Sequence, residues 1–111
     1  MGVGLGPEAR LVWRRPDGSD VCFRLTESVM VVGREEQADI RLDEPLVSRS
    51  HARIERRGEG FWVIDLSSTN RTRVNDEVVA QRQLEDGDEV RFARVVCRFR
   101  LGPSEPAADA G

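Results

Sequence analysis

Apolar residues in this chain come in short runs, and most of these runs alternate with polar residues at a period of two. "ARLVW" (9–13) and "VCFRL" (21–25) flank "RRPDGSD" (14–20), whose Pro16-Asp17-Gly18 is turn chemistry. "SVMVVGR" (28–34) is a continuous apolar run closed by Gly33. "DIRL" puts Ile40 and Leu42 on one face, and "HARIERR" puts Ala52 and Ile54 inward with Arg53 and Glu55 outward. "RGEG" turns the chain into "FWVIDL", and "EDGD" turns it into "EVRF". "VVCRFRL" closes the series with Arg98 and Arg100 on its wet face. Many short strands with turn signals every 8–12 residues or so predict an all-β sandwich or barrel. No segment carries a helical stripe, and no internal repeat is visible.

Residues 1–8 are read as a flexible N-terminus, 9–101 as one β domain, and 102–111 as a disordered Pro/Ala/Gly tail, "GPSEPAADAG", with nothing to bury. A length of 111 residues suits a single domain able to bury a core without staples. With 39% hydrophobic and 33% charged residues the composition is globular. A net charge of −3 predicts no general attraction to nucleic acid or to an anionic membrane. All of the cationic side chains are arginine, a bias that a GC-rich genome explains as well as function does. Every cation is then a planar fork suited to oxyanions.

Cys97 shares a face with Val95, Phe99 and Leu101, so it should point into the core; Cys22 alternates against Val21, Phe23 and Leu25. Opposite faces argue against a disulfide and for a reduced, cytoplasmic protein. No window approaches about 18 apolar residues, so no membrane span is expected. The opening "MGVGLGPEAR" lacks the regions of a signal peptide, and Gly6 stands where a myristoylation signal needs Ser or Thr.

Three loop segments carry candidate chemistry: Gly33-Arg34, "SRSH" (48–51) with the sole histidine, and "SSTN" (67–70). Two strands, about 52–56 and 61–65, separate the second from the third, so an antiparallel pair returns the chain to the end it left. Ser48 and Asn70 are therefore expected at one end of the sandwich; spacing alone does not place Arg34. As a catalytic set, Ser48, His51 and Asp65 would be nucleophile, base and orienter. A three-residue offset at a loop–strand junction does not aim Ser48 at His51, and no glycine nest marks an oxyanion hole. No metal cluster is present and no cofactor is implied. An anion site fares better: a phosphate takes arginine forks, hydroxyls and free amides, which Arg34, Ser48, Arg49 and Thr69 supply from loops. On spacing alone, Ser, Thr and Asn that merely cap turns explain these segments as readily.

The ordered set "VVGR … ADIRL … VSRSHARI … FWVIDLSSTNRTRVND … LEDGDEV", from about Val31 to Phe99, resembles the forkhead-associated domain, a phosphothreonine-binding family. The resemblance implies an antiparallel β-sandwich of about eleven strands in two sheets, with ligand bound at one end. It implies that Arg34, Ser48, Arg49 and Thr69 bind the phosphate and that Asn70 holds the backbone of the bound peptide. Leu46 and Arg71 would set specificity; Gly33 and His51 would be structural, with His51 bracing the loops. The partner would be a phosphothreonine-containing protein, the product of a Ser/Thr kinase, bound without catalysis. A pocket for the threonine γ-methyl would favour threonine over serine about fourfold, at about 0.8 kcal/mol per buried methyl.

The chain departs from the family at Asn70-Arg71-Thr72, where Asn-Gly-Thr is common, and at Asn75-Asp76, where Asn-Gly is common. A left-handed backbone at position 71 would cost arginine on the order of 1 kcal/mol. The threonines are Thr26, Thr69 and Thr72, so neither tail offers a phosphothreonine of its own. A second reading keeps the fold but binds a partner without phosphate, through a sheet face or as a homodimer.

Overall fold

The computed structural model describes residues 8–102. The readings made for the N-terminus and for the tail therefore fall almost wholly outside the described residues. Two sheets pack face to face, and none of the described residues is helical. The strands are β1 (Ala9–Arg14), β2 (Asp20–Arg24), β3 (Val29–Gly33), β4 (Ile40–Arg41), β5 (Ala52–Arg57), β6 (Gly60–Asp65), β7 (Thr72–Val74), β8 (Glu77–Val78), β9 (Gln81–Leu84), β10 (Glu89–Phe92) and β11 (Val95–Leu101). One sheet runs β2-β1-β11-β10-β7-β8 and the other β4-β3-β5-β6-β9.

The two-residue alternation decides which side chains enter the core. Leu11, Val90, Phe92 and Phe99 come from the first sheet, and Val32, Ile54, Phe61 and Val63 from the second; all are essentially buried. Phe61 and Phe99 meet across the layers with ring centroids 5.7 Å apart, a tilted contact that ties β6 to β11. Cys97 lies in this core, where burial pushes its thiol up to about 12, while Cys22 is exposed on the outer face; both are free. A thiol so reluctant to ionise is a packing group and not a nucleophile.

All strand pairs but one are antiparallel; β3 and β4 pair parallel over Val32↔Ile40 and Gly33↔Arg41. A parallel return usually needs a long crossover. Here only two residues pair, so the loop 34–39 rises past the sheet end and drops straight back beside β3. It closes through the Leu42 N–H donating to the Gly33 carbonyl at 2.8 Å. That excursion lifts position 34 to the rim of the sandwich. Strands β5 and β6 pair over their whole length, from Ala52↔Asp65 to Arg57↔Gly60. The segments 48–51 and 66–70 thus emerge at that same rim, as the antiparallel return requires.

The loops at this rim are laced together by backbone. The His51 N–H donates to the Val32 carbonyl (2.8 Å), and the Arg34 N–H donates to the Ser48 carbonyl (3.0 Å). So close an approach leaves no room for a side chain at Gly33: a Cβ there would stand 1.9 Å from the Arg49 carbonyl oxygen and 3.1 Å from Ser50 Cα. Position 33 is glycine because the neighbouring backbone occupies that space, and the obstacle cannot rotate away as a side chain could. Gly33→Ala is expected to lower unfolding free energy by about 1–3 kcal/mol, the usual range for overpacking. A urea titration checks this; a midpoint equal to that of the unmutated protein would show that the lacing is not tight.

Candidate functional site

His51 is fully buried, at the joint between the sheets, where its ring meets Phe92 edge-on at 5.8 Å. Its two nitrogens reach different loops. Nδ1 accepts the Ser48 backbone N–H at 3.1 Å, which leaves Nε2 as the protonated nitrogen, donating to the Arg71 carbonyl at 2.8 Å. The same carbonyl accepts the Ala93 N–H at 3.2 Å. One imidazole therefore fixes the spacing between the loop 42–51 and the loop 66–71, and the β10–β11 turn is locked to the same atom.

The loop 66–71 is shaped from its other side by Asp65. Its carboxylate accepts Ser68 Oγ (2.5 Å), the Ser68 N–H (3.0 Å) and Thr72 Oγ1 (2.8 Å). Burial pushes the Asp65 carboxyl up, but the hydrogen bonds from Ser68 and Thr72 outweigh it and hold the group below its usual value of 3.8. The sequence places Asp65 and Ser68 within the stretch that resembles the family but assigns neither Ser68 nor Thr72 a role. The signal was present: an Asp followed by Ser three residues on is the pattern of a side-chain-capped turn.

These bonds dismantle the catalytic set. Ser48 Oγ accepts the Thr69 N–H at 3.2 Å, His51 is occupied by two backbone groups, and Asp65 by two hydroxyl residues. No proton relay links the three.

What the rim does gather is a set of anion donors. The Ser48–Thr69 bond brings the two hydroxyl residues together across the loops, and the Ser48 hydroxyl keeps its proton to donate elsewhere. Arg34 is exposed, and its Nε donates to the Val47 carbonyl at 2.9 Å, one peptide from Ser48. Among the described residues, neither the Arg34 Nη groups nor the side chains of Arg49 and Arg71 make an ion pair or hydrogen bond. Several other arginines are tied by ion pairs, such as Arg53 and Arg57 to Glu55 and Arg91 to Glu89. Asn70 donates Nδ2 to the Leu46 carbonyl at 2.8 Å, so it ties two rim loops together as well as facing solvent. Leu46 itself is 42% exposed beside it. Arg34, Ser48, Arg49, Thr69, Asn70, Leu46 and Arg71 thus all lie on the three loops of one end, with Gly33 and His51 beneath them. No cluster of potential metal ligands occurs among the described residues.

The FHA domain model matches residues 30–93, more than half of the chain and all three loops. This chain belongs to the FHA-domain family. Glycogen accumulation regulator GarA of Mycobacterium tuberculosis (strain ATCC 25618 / H37Rv) is 36% identical over 107 residues, covering 96% of this chain and 66% of the relative. The oxoglutarate dehydrogenase inhibitor of Corynebacterium jeikeium is 35% identical over 97 residues, covering 87% of this chain and 67% of the relative. The chain thus spans about two thirds of the length of these regulators. Among solved structures, an FHA domain studied for phosphothreonine-dependent interactions superposes with a TM-score of 0.78 at 33% identity, over 87% of this chain and 99% of that one. The FhaA FHA domain complexed with the intracellular domain of Rv3910 gives 0.74 at 34% identity, over 83% and 99%.

Arg71 has a left-handed backbone, with φ 69°. The left-handed conformation turns the Arg71 carbonyl onto His51 and Ala93, and arginine holds it against the steric preference of L-residues. Asn75 and Asp76 are also left-handed, at φ 49° and 75°, and form the two-residue β7–β8 turn. Two outcomes are expected. His51→Ala opens a cavity and leaves the Ser48 N–H without its acceptor, costing about 3 kcal/mol; a thermal melt should fall by about 10 °C or more, and an unshifted melt would refute the bracing role. Arg71→Gly relieves the backbone and should raise the melt by a few degrees, about 1 kcal/mol; a fall in the midpoint would mean that the arginine side chain contributes more than its strain costs.

Proposed function

We propose that this FHA domain is a non-catalytic module that captures phosphothreonine-containing segments of partner proteins at the rim. The observation that carries the reading is the pairing of Ser48 with Thr69 beside an arginine whose Nη groups have no partner among the described residues. A phosphate dianion satisfies all of these at once. Arg34 gives a fork to its oxygens, and the Ser48 hydroxyl donates while its oxygen is held by the Thr69 amide. Thr69 adds a hydroxyl, and Arg49 adds charge from the exposed loop. Asn70 positions the peptide backbone, and Leu46, exposed next to it, contacts residues beyond the phosphothreonine. The regulatory names of the mycobacterial and corynebacterial relatives support a role in controlling a partner, and the phosphothreonine in that partner is the product of a Ser/Thr kinase. We place the module in the cytoplasm, the reducing compartment that suits two free cysteines.

The magnitudes favour a switch. Hydrogen bonds to charged groups contribute about 1.5–3 kcal/mol each, so two of them separate phosphorylated from unphosphorylated peptide by about 100-fold or more. Fluorescence anisotropy with paired threonine and phosphothreonine peptides tests this directly. Arg34→Ala is expected to abolish the phosphate dependence while leaving the thermal midpoint within a few degrees. Equal binding of both peptides by the unmutated protein would favour the phosphate-independent reading of the same fold.

A further inference from the structure

The outer face of the six-stranded sheet carries a second cationic feature, remote from the rim. On β1 the outward positions are Arg10, Val12 and Arg14; on β11 they are Val96, Arg98 and Arg100; on β2 they are Asp20, Cys22 and Arg24. The register sets Arg24, Arg10 and Arg100 side by side across three adjacent strands, since Arg10 pairs with both of the others. Like charges directly opposite one another destabilise a sheet. No carboxylate interrupts this row. Arg10 donates to the Gly102 carbonyl (3.3 Å), and Arg100 meets Asp86 at the margin (3.3 Å). Arg24 has neither an ion pair nor a hydrogen bond among the described residues. Two shallow depressions border the row: about 370 Å³ beside Arg10, Cys22 and Arg24, with Glu8 in its wall, and about 260 Å³ between Arg10, Val12, Arg98 and Arg100, with Arg14 and Asp20 in its wall.

We infer that this face is a docking surface for an acidic segment of a protein partner, with carboxylates interspersed among small apolar residues. Charge complementarity selects the sign: a guanidinium row in which only Arg100 has a carboxylate partner is relieved by an anion, and planar forks match carboxylates two bonds at a time. The floor selects a peptide over a nucleic acid. Val12, Cys22 and Val96 line it, while the aromatic residues of these strands, Trp13, Phe23 and Phe99, alternate to the other face, so nothing is available to stack a base. A membrane is disfavoured too, because the large apolar residues exposed on this protein are Val29, Leu46 and Val78, none of them on these strands. The face also carries Asp20, paired with Arg14, and Asp86 at its margin, but Arg10, Arg14, Arg24, Arg98 and Arg100 outnumber them, so the local sign is positive although the whole chain is at −3.

The geometry separates this surface from the rim. The β10–β11 turn is bonded to Arg71, so β11 starts at the rim and runs away from it; Arg100 stands about 17 Å farther along at the usual rise per residue. One partner could hold a phosphothreonine at the rim and lay an acidic stretch along the sheet.

The test uses the full chain and a fluorescein-labelled peptide that alternates glutamate with valine, with a lysine–valine peptide as the sign control. Backbone amide shifts of the unmutated protein report the location of binding. We expect saturable binding of the glutamate peptide alone, shifts along 10–12, 22–24 and 98–100, and none at 48–49 or 69–71. The triple variant Arg10→Ser/Arg24→Ser/Arg100→Ser should bind about tenfold more weakly, as removal of three exposed charge pairs predicts. Arg34→Ala should bind the glutamate peptide normally, which keeps this result distinct from the fate of the phosphothreonine reading. Shifts at the rim loops, equal binding of the two peptides, or undiminished affinity of a folded triple variant would overturn the inference. So would tighter binding at this face by duplex DNA or by phosphatidylserine vesicles than by the peptide.

Discussion

A single buried imidazole sets the distance between the loops on which the function depends. His51 accepts a hydrogen bond from the Ser48 backbone N–H at one nitrogen and donates one to the Arg71 carbonyl from the other, inside the joint between the sheets. The Ser48 N–H has no other acceptor among the described residues, while the Arg71 carbonyl also accepts from Ala93; an unmet buried donor costs about 1–3 kcal/mol. The loops carry the exposed groups, but the spacing is set from below. Backbone lacing between Val32–Arg34 and Ser48–His51, possible only above a glycine at 33, holds the same loops from the side. The rim is thus rigid before any ligand arrives, and rigidity of this kind spares a ligand the cost of ordering the loops.

Much of this was legible in the residues. The two-residue alternation announced the strands that face a core, including the opposite fates of Cys22 and Cys97. The antiparallel return from 52–56 to 61–65 announced that Ser48 and Asn70 share an end. The short polar strands were not announced. β8 is two exposed residues, and β9, "QRQL", sends one side chain inward, so neither carries enough apolar pattern to register. Their position comes from a left-handed turn at Asn75-Asp76, a backbone property that side-chain periodicity does not encode. Arg34 likewise escaped placement, because a parallel return over two residues obeys no up-and-down count. The role of His51 as a brace came from the family resemblance; the sequence could not say which atoms it joins.

Arginine is the only cation here, and its placement divides the surface into distinct regions. On the outer face of β5, Arg53 and Arg57 share the carboxylate of Glu55, and such exposed pairs contribute little to stability. At the rim, Arg34 and Arg49 are without carboxylate partners among the described residues, and on β2-β1-β11 a row of three stands together with only Arg100 paired, to Asp86. Unneutralised guanidinium groups are a cost in the free domain and a resource on binding. The rim and the sheet face are separated along β11, so each can be changed without disturbing the other, and both are carried by strands whose inner side chains fill one core.

The account stands or falls on convergence: Arg34, Ser48 and Thr69 must act on one anion. Titrating a phosphothreonine peptide into isotopically labelled protein and following the backbone amides and arginine Nε–H groups tests this most directly. The account predicts saturable shifts at Arg34 Nε–H and at the amides of 48–49 and 69–71, all with one dissociation constant. Shifts that spare Arg34 and the 69–71 loop, or that fall on the sheet faces instead, would contradict it.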